Sequence, residues 1–351
     1  MASRTRTRLG SWAAITCAAT IAATVAGPVA LGASPDVSTL REASRYLQVG
    51  SAVGLPQLDT DATYRDILAR EFDSVTPENA MKWEVTEPRR GRFDLADADR
   101  IVAFAGEHNM RVRGHVLVWH QQNPGWLTGG HFTRAQLVSI LRGHIFKLVG
   151  RYRGRVASWD VINEVMGDDG HLRKTFWLQR LGPQYIDLAF RFAHQADPAA
   201  TLYYNEIGAE GLGPKSDAMY AGAKALLARG VPIGGIGFET HLTLDGPPAD
   251  FQKNMERFAK LGLQIAVTEA DVRVRMPATP AKLAVQGDAF RDALDDCRAV
   301  EACRSFTVWG FTDRYSWIPD NQPGYGAATI LDRALNPKPA YFAVHEALTR
   351  R

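Results

Sequence analysis

The chain has 351 residues, with 41 Lys and Arg against 38 Asp and Glu. That length accommodates one large or two modest domains, and the near balance of charge gives no basis for a nucleic-acid or anionic-membrane partner. Arg4, Arg6 and Arg8 account for the whole basic excess.

Residues 1–33 read as a secretory signal. The three arginines form a positive start, Trp12 to Val25 is apolar and small, and Leu31-Gly32-Ala33 offers a cleavage site. Gly27-Pro28 interrupts the apolar run short of the ~20 residues a membrane span needs. No two arginines are adjacent in this segment, which favours the general secretory route over the twin-arginine one. The expectation is a secreted protein, with no membrane anchor in the mature form, comprising residues 34–351. Cys17 leaves with the signal, and Cys297 and Cys303 remain. In an oxidising exterior they can pair, whereas two thiols without a histidine-rich neighbourhood do not make a metal site.

Beyond Asp36, strand-like and helix-like segments alternate. Asp97 to Met110 carries apolar residues at Ile101, Val102, Phe104 and Ala105, before a strand expected over Arg111 to Trp119. Thr133-Arg134-Ala135-Gln136 has the form of a capping box, followed at helical spacing by Leu137, Ile140, Leu141, Ile145 and Leu148. Val156 to Ile162 reads as a buried strand ending in Asn163-Glu164. Tyr185 to Phe192 is a helix face that stops near Asp197-Pro198, ahead of Thr201-Leu202-Tyr203-Tyr204. Met219 to Leu227 is another, with Gly230 as its C-terminal cap before Ile236-Gly237-Phe238. Phe251, Met255 and Phe258 precede the strand Leu263 to Glu269, and Val285, Phe290 and Leu294 precede Phe306 to Trp309.

Repeats of strand then helix every ~30 to 45 residues call for a parallel sheet with crossover helices. Over this length a closed (β/α)8 barrel leads, with a doubly wound open sheet as the alternative. No glycine-rich phosphate turn follows the first strand, which counts against the dinucleotide-binding version of the latter. Polar residues gather where strands end: Glu78-Asn79, His115, Trp119-His120, Asn163-Glu164, Asn205-Glu206, Glu239-His241, Glu269-Asp271 and Trp309-Asp313. In a barrel these ends share one face, and two carboxylates on rigid strand ends, Glu164 and Glu269, are the minimum equipment for cleaving a glycosidic bond.

The motifs resemble those of the glycoside hydrolase family 10 endo-β-1,4-xylanases from about Leu47 to Tyr341. The matching blocks, in order, are Phe72 to Trp83, Arg113 to His120, Trp159-Asp160-Val161-Ile162-Asn163-Glu164, Val267 to Asp271, and Trp309 to Trp317. The resemblance implies a single α/β barrel, a retaining mechanism with Glu269 as nucleophile and Glu164 as acid/base, and no cofactor or metal. It further implies that Glu78, Asn79 and Lys82 bind sugar hydroxyls, that His115 and Trp119 meet the scissile sugar, and that Trp309 and Trp317 wall it. Asn163 is expected to hold a 2-hydroxyl, and His241 to bridge Glu269 and Asp271. The implied partner is xylan or a related β-1,4-linked saccharide, handled by a monomer.

Two departures stand out. Glu239 occupies a position where the family usually has Gln, and Asn205-Glu206-Ile207-Gly208 stands where it usually has Asn-Asp-Tyr-Asn. The missing Tyr removes an aromatic platform on the leaving-group side, so a relative acting on an aryl or bulky plant glycoside, or on cello-oligosaccharides, stays open, as does a catalytically silent carbohydrate-binding barrel. Glu239 lies by this resemblance near Glu269 and the substrate 2-hydroxyl. Its pKa is expected to rise, so that its protonated form donates a hydrogen bond at mildly acidic pH and activity falls as it ionises.

Overall fold

A computed structural model describes residues 38–350. The expected signal at 1–33, including Cys17, lies outside the described residues. Within them, no helix is long and apolar enough to cross a membrane.

Eight parallel strands form the barrel: β1 (Gln48–Val53), β2 (Ser74–Pro77), β3 (Arg111–Gly114), β4 (Ser158–Asn163), β5 (Thr201–Glu206), β6 (Gly235–Phe238), β7 (Gln264–Val272) and β8 (Cys303–Val308). Each pairs with the next, and β8 closes the ring on β1 through the register Val49↔Phe306 and Gly50↔Thr307. Between and after them run α1 (Ala62–Glu71), α2 (Ala96–Glu107), α3 (Arg134–Arg151), α4 (Gln184–Ala196), α5 (Pro214–Ala228), α6 (Phe251–Ala259), α7 (Pro280–Ala299) and α8 (Pro339–Thr349). This is the (β/α)8 barrel expected from the alternation, not the open sheet.

The strands are buried on both faces, which is why they read as near-continuous apolar runs. Helix limits follow local chemistry. Thr133 Oγ1 accepts from the Gln136 N–H at 3.2 Å while Gln136 Oε1 accepts from the Thr133 N–H at 2.9 Å, so the capping box opens α3 as expected. Gly230, with φ 62°, takes the left-handed position just past α5.

The third strand is shorter than its sequence suggests. Gly114 lies so close to the Trp159 indole that a Cβ there would come within 2.1 Å of it. Beyond Gly114 the chain leaves the ladder. His115 turns its Nδ1 to Asp160 Oδ2 at 3.1 Å, the Leu117 N–H donates to the Asp160 carbonyl at 3.0 Å, and pairing returns only as a single bridge between Val118 and Ile162. Inside the barrel Asp160 also receives both Nε and a terminal nitrogen of Arg113, whose guanidinium lies 4.3 Å from the Tyr203 ring centroid. A buried pair of this kind leans on such added contacts, here two hydrogen bonds from Arg113 and the approach of His115 Nδ1 to Asp160.

Cys297, near the end of α7, is bonded to Cys303, the first residue of β8, across a separation of 6 residues. The bridge ties the outer helix to the strand that leads into Trp309.

Candidate active site

The C-terminal ends of β4 and β7 bring Glu164 and Glu269 to the same face, as expected for a barrel. Glu164 follows the last residue of β4 with φ 50°, a left-handed conformation uncommon for a residue with a Cβ. Two contacts hold it there: its N–H donates to the Asn205 carbonyl at 3.2 Å, and Arg173 Nε donates to its carbonyl at 3.1 Å. The turn lifts the carboxylate out of the strand's alternation and towards the centre of the barrel mouth.

Two side chains in series link the two carboxyls. Asn205 Nδ2 donates to Asn163 Oδ1 at 2.8 Å and to Glu269 Oε1 at 2.9 Å, and Asn163 Nδ2 in turn donates to Glu164 Oε1 at 3.3 Å. The Asn205 amide is oriented by Thr268, whose hydroxyl donates to Asn205 Oδ1 at 2.7 Å. Gly237 makes room for it, since a Cβ at that position would sit 2.1 Å from Asn205 Oδ1.

The environments drive the two carboxyls apart. Burial raises the pKa of Glu164, and the charge of Glu269 raises it further. Burial works on Glu269 in the same sense, but the hydrogen bond from His241 and the charges of His115 and His241 outweigh it and hold Glu269 below the usual range. The two carboxyls are thus pushed in opposite directions, one towards the acid and the other towards the carboxylate, the division that glycoside cleavage requires. His120 Nδ1 lies 4.0 Å from Glu164 Oε2. Burial and the nearby Arg173 push its pKa down to about 4, so it stays neutral there.

His241 lies between Asp271 and Glu269. Its Nδ1 is 2.9 Å from Asp271 Oδ2 and its Nε2 3.4 Å from Glu269 Oε2. Burial alone would depress its pKa, but Asp271 and Glu269 carry it up to about 10. Asp271 Oδ2 also accepts from Trp317 Nε1 at 2.8 Å, and the Trp317 ring centroid lies 5.1 Å from that of His241. Trp309 meets His115 edge to face at 5.2 Å. Trp119 lies under Lys82, whose Nζ is 4.9 Å from its ring centroid and donates to Asn79 Oδ1 at 3.1 Å. Burial lowers the Lys82 pKa against the opposing charges of Glu269, Glu78 and Glu164, and raises that of Glu78 against the charge of Lys82. Trp119 and Trp317 keep partly exposed faces, whereas Trp309 is buried to 8 % exposure.

Glu239 is buried to 1 % exposure. Its Oε2 lies 3.6 Å from His241 Nε2, and its Oε1 receives only a long contact of 3.4 Å from Asn205 Nδ2. Burial, then Glu269 and Glu164, push its pKa well above the carboxylate range. Thr240, the next residue, has φ 65° and is held by its N–H donating to Glu210 Oε1 at 2.8 Å.

Sequence reasoning placed Asn205 and His120 at strand ends without giving either a role, and it did not single out Arg173 or the Arg113–Asp160 pair. The signal for Asn205 was an uncharged amide on a strand end flanked by carboxylate-bearing ones. Asp313, grouped with the strand-end residues, is instead paired with Lys338 Nζ at 2.9 Å and accepts from the Thr329 N–H and hydroxyl. Glu206 is likewise committed elsewhere: it accepts from the Met166 N–H at 3.0 Å and lies 3.4 Å from Lys215 Nζ, with burial raising its pKa to about 8 despite that cation.

A (β/α)8 barrel carrying an acid and a carboxylate on two strand ends, walled by indoles, defines a glycosidase type of site. The comparisons with known proteins agree. The family model described as Glycosyl hydrolase family 10 matches residues 38–347. The chain is 42% identical to the endo-1,4-beta-xylanase B of Thermotoga neapolitana over 290 residues, covering 82% of this chain and 84% of that protein. Its fold superposes on native xylanase 10B from Thermotoga maritima with a TM-score of 0.86 at 42% identity, covering 88% of this chain and 98% of the other. Xylanase 10B from Thermotoga petrophila RKU-1, solved with xylobiose, gives a TM-score of 0.86 at 41% identity, over 90% and 98% of the two chains. The chain belongs to glycosyl hydrolase family 10.

Proposed function

We propose that this protein is a secreted, monomeric endo-β-1,4-xylanase that cleaves internal xylosidic bonds with retention, using Glu269 as nucleophile and Glu164 as acid/base. The observation that carries the reading is the opposed titration of two carboxyls joined through Asn205 and Asn163. In the first step a Glu269 oxygen attacks the anomeric carbon, the glycosidic C–O bond breaks, and the Glu164 proton passes to the leaving oxygen. In the second, Glu164, now a carboxylate, takes a proton from water. The water oxygen displaces Glu269 from the anomeric carbon, and both carboxyls return to their starting states.

The same reading assigns the remaining roles. Asn163, beside Glu164, holds the 2-hydroxyl of the sugar undergoing cleavage. His241 and Asp271 position Glu269 through the chain of contacts from Trp317. Glu78, Asn79, Lys82 and His115 read hydroxyls, and Trp119, Trp309 and Trp317 supply apolar faces to the pyranose rings. Secretion rests on the reading of residues 1–33. The xylan substrate is supported by the curated and solved relatives, one of them complexed with xylobiose.

A second reading has a specific observation behind it. Ile207 is partly exposed and Gly208 exposed at the end of β5, where the family usually carries Tyr. This favours tolerance of a bulky apolar aglycone in place of stacking on a second sugar. Rates on xylan, xylo-oligosaccharides, aryl xylosides and aryl cellobiosides separate the readings. The xylanase reading expects xylan and xylo-oligosaccharides to lead, with the β-anomer released first by NMR. Activity confined to aryl glycosides would establish the second reading, and no turnover on any of them would leave a carbohydrate-binding barrel.

A further inference from the structure

Glu239, His241 and Glu269 each offer one ligand atom to a shared point, and these atoms lie within 4.8 Å of one another. His241 Nε2 is 3.6 Å from Glu239 Oε2 and 3.4 Å from Glu269 Oε2. A tetrahedral zinc ion with bonds of ~2.0–2.1 Å requires its ligand atoms to be ~3.3–3.4 Å apart. Both measured separations come within a few tenths of an ångström of that edge length.

The surroundings are those of a metal ligand set. His241 presents Nε2 because its Nδ1 is engaged by Asp271 Oδ2 at 2.9 Å, an arrangement that fixes a ring for coordination. Glu269 Oε1 is held by Asn205 at 2.9 Å, which leaves Oε2 facing the imidazole. Glu239 is a buried carboxyl whose only ion-pair partner among the described residues is His241. One nitrogen and two carboxylate oxygens suit zinc, whereas calcium and magnesium call for six or more oxygens.

We propose that Glu239, His241 and Glu269 form a zinc site, and that Zn²⁺ bound there inhibits hydrolysis by occupying the nucleophile. The fourth position is open to water from the cleft. Zinc takes the His241 Nε2 lone pair and a Glu239 carboxylate oxygen, so the proton on that nitrogen and the carboxyl proton of Glu239 are both released to solvent as the ion binds. A Gln at position 239, the usual residue of the family, supplies only a neutral amide and removes one of the two anionic ligands. The site is therefore a property of this chain's departure from the family pattern. That zinc inhibits rests on Glu269 acting as nucleophile; that zinc binds does not.

The test is calorimetric titration of the full chain with ZnCl₂, for the wild type and Glu239→Gln. It is accompanied by xylan hydrolysis in ZnCl₂ with each protein normalised to its own metal-free rate, and by zinc anomalous diffraction from wild-type crystals. The expected result is one zinc per chain between Glu239, His241 and Glu269. Affinity should weaken at least about tenfold in the variant, with inhibition relieved in parallel and reversed by EDTA. Equal affinity in both proteins, or an anomalous peak only at a surface pair such as Asp169 and His171, overturns the proposal. Zinc bound at the site without inhibition overturns the inhibitory half and counts against Glu269 as nucleophile. Should the variant fail to fold, the wild-type anomalous peak decides alone.

Discussion

The amide nitrogen of Asn205 lies 2.9 Å from Glu269 Oε1 and uses its second hydrogen on Asn163 Oδ1 at 2.8 Å. An amide has two hydrogens, so the 3.4 Å contact to Glu239 is left without a full hydrogen bond. Glu269 is thereby favoured as the anion, while burial and the charges of Glu269 and Glu164 push Glu239 towards its neutral form.

Replacing Asn205 with Asp tests that preference. A negative charge beside Glu269 disfavours its ionised form and raises its pKa. The proposed role of Glu269 needs it ionised, so the acidic limb of kcat/KM against pH is expected to move to higher pH. Asn205→Ala, which only removes the donor, is expected to cost about 1–3 kcal/mol of transition-state stabilisation, or roughly ten- to a hundredfold in kcat/KM. An unmoved acidic limb in the Asp variant would show that Asn205 does not govern the charge of Glu269.

The two carboxylates are expected to fail in different ways. Glu269→Ala loses activity by several orders of magnitude, and azide restores turnover with inverted configuration because the small anion fills the vacated space. Glu164→Ala loses about 10²–10⁴-fold on xylan but spares the first step on substrates with good leaving groups, and there azide gives a product of retained configuration. Product configuration by NMR decides the matter, and exchanged outcomes would exchange the roles.

The alkaline limb is expected to belong to Glu164. Its pKa is raised by burial and by Glu269, its proposed role as acid needs it protonated, and on that role activity is lost as pH rises through its pKa. Glu239 is more deeply buried, and burial, Glu269 and Glu164 push it well above the carboxylate range as well. The expectation from sequence gave the limb to Glu239, and one variant separates the two. An amide is the isostere of the protonated acid, so Glu239→Gln should leave the limb in place. A limb displaced to higher pH in that variant would return it to Glu239.

The Cys297–Cys303 bridge closes a short loop, and its loss is expected to lower the unfolding free energy by about 2 kcal/mol through the unfolded chain. The double variant Cys297→Ser, Cys303→Ser should show this in denaturant titration while retaining its activity at ambient temperature. Thiol titration of the denatured, unreduced mature protein should find none free, and two would remove the bridge.

Much of this architecture is local and therefore legible in the chain. The capping box at Thr133, the stop at Gly230 and the apolar runs of the strands depend on residues a few positions apart. The alternation of strand and helix leaves few topologies open. The carboxylates were visible for the same reason, since Glu164 and Glu269 each end an apolar run. What only the tertiary structure decided is where those ends meet and in which protonation state. Closure of β8 on β1 sets the stagger of the strands, and that stagger brings Asn205 on β5 within hydrogen-bond reach of Glu269 on β7. It also places His241 between Glu239 and Glu269, and commits Asp313 to Lys338 away from the site. The charge on a carboxyl depends on its burial and on neighbours from other strands, which neither periodicity nor spacing encodes. That is why Glu164, Glu239 and Glu269, alike in sequence, titrate in opposite directions in the folded barrel.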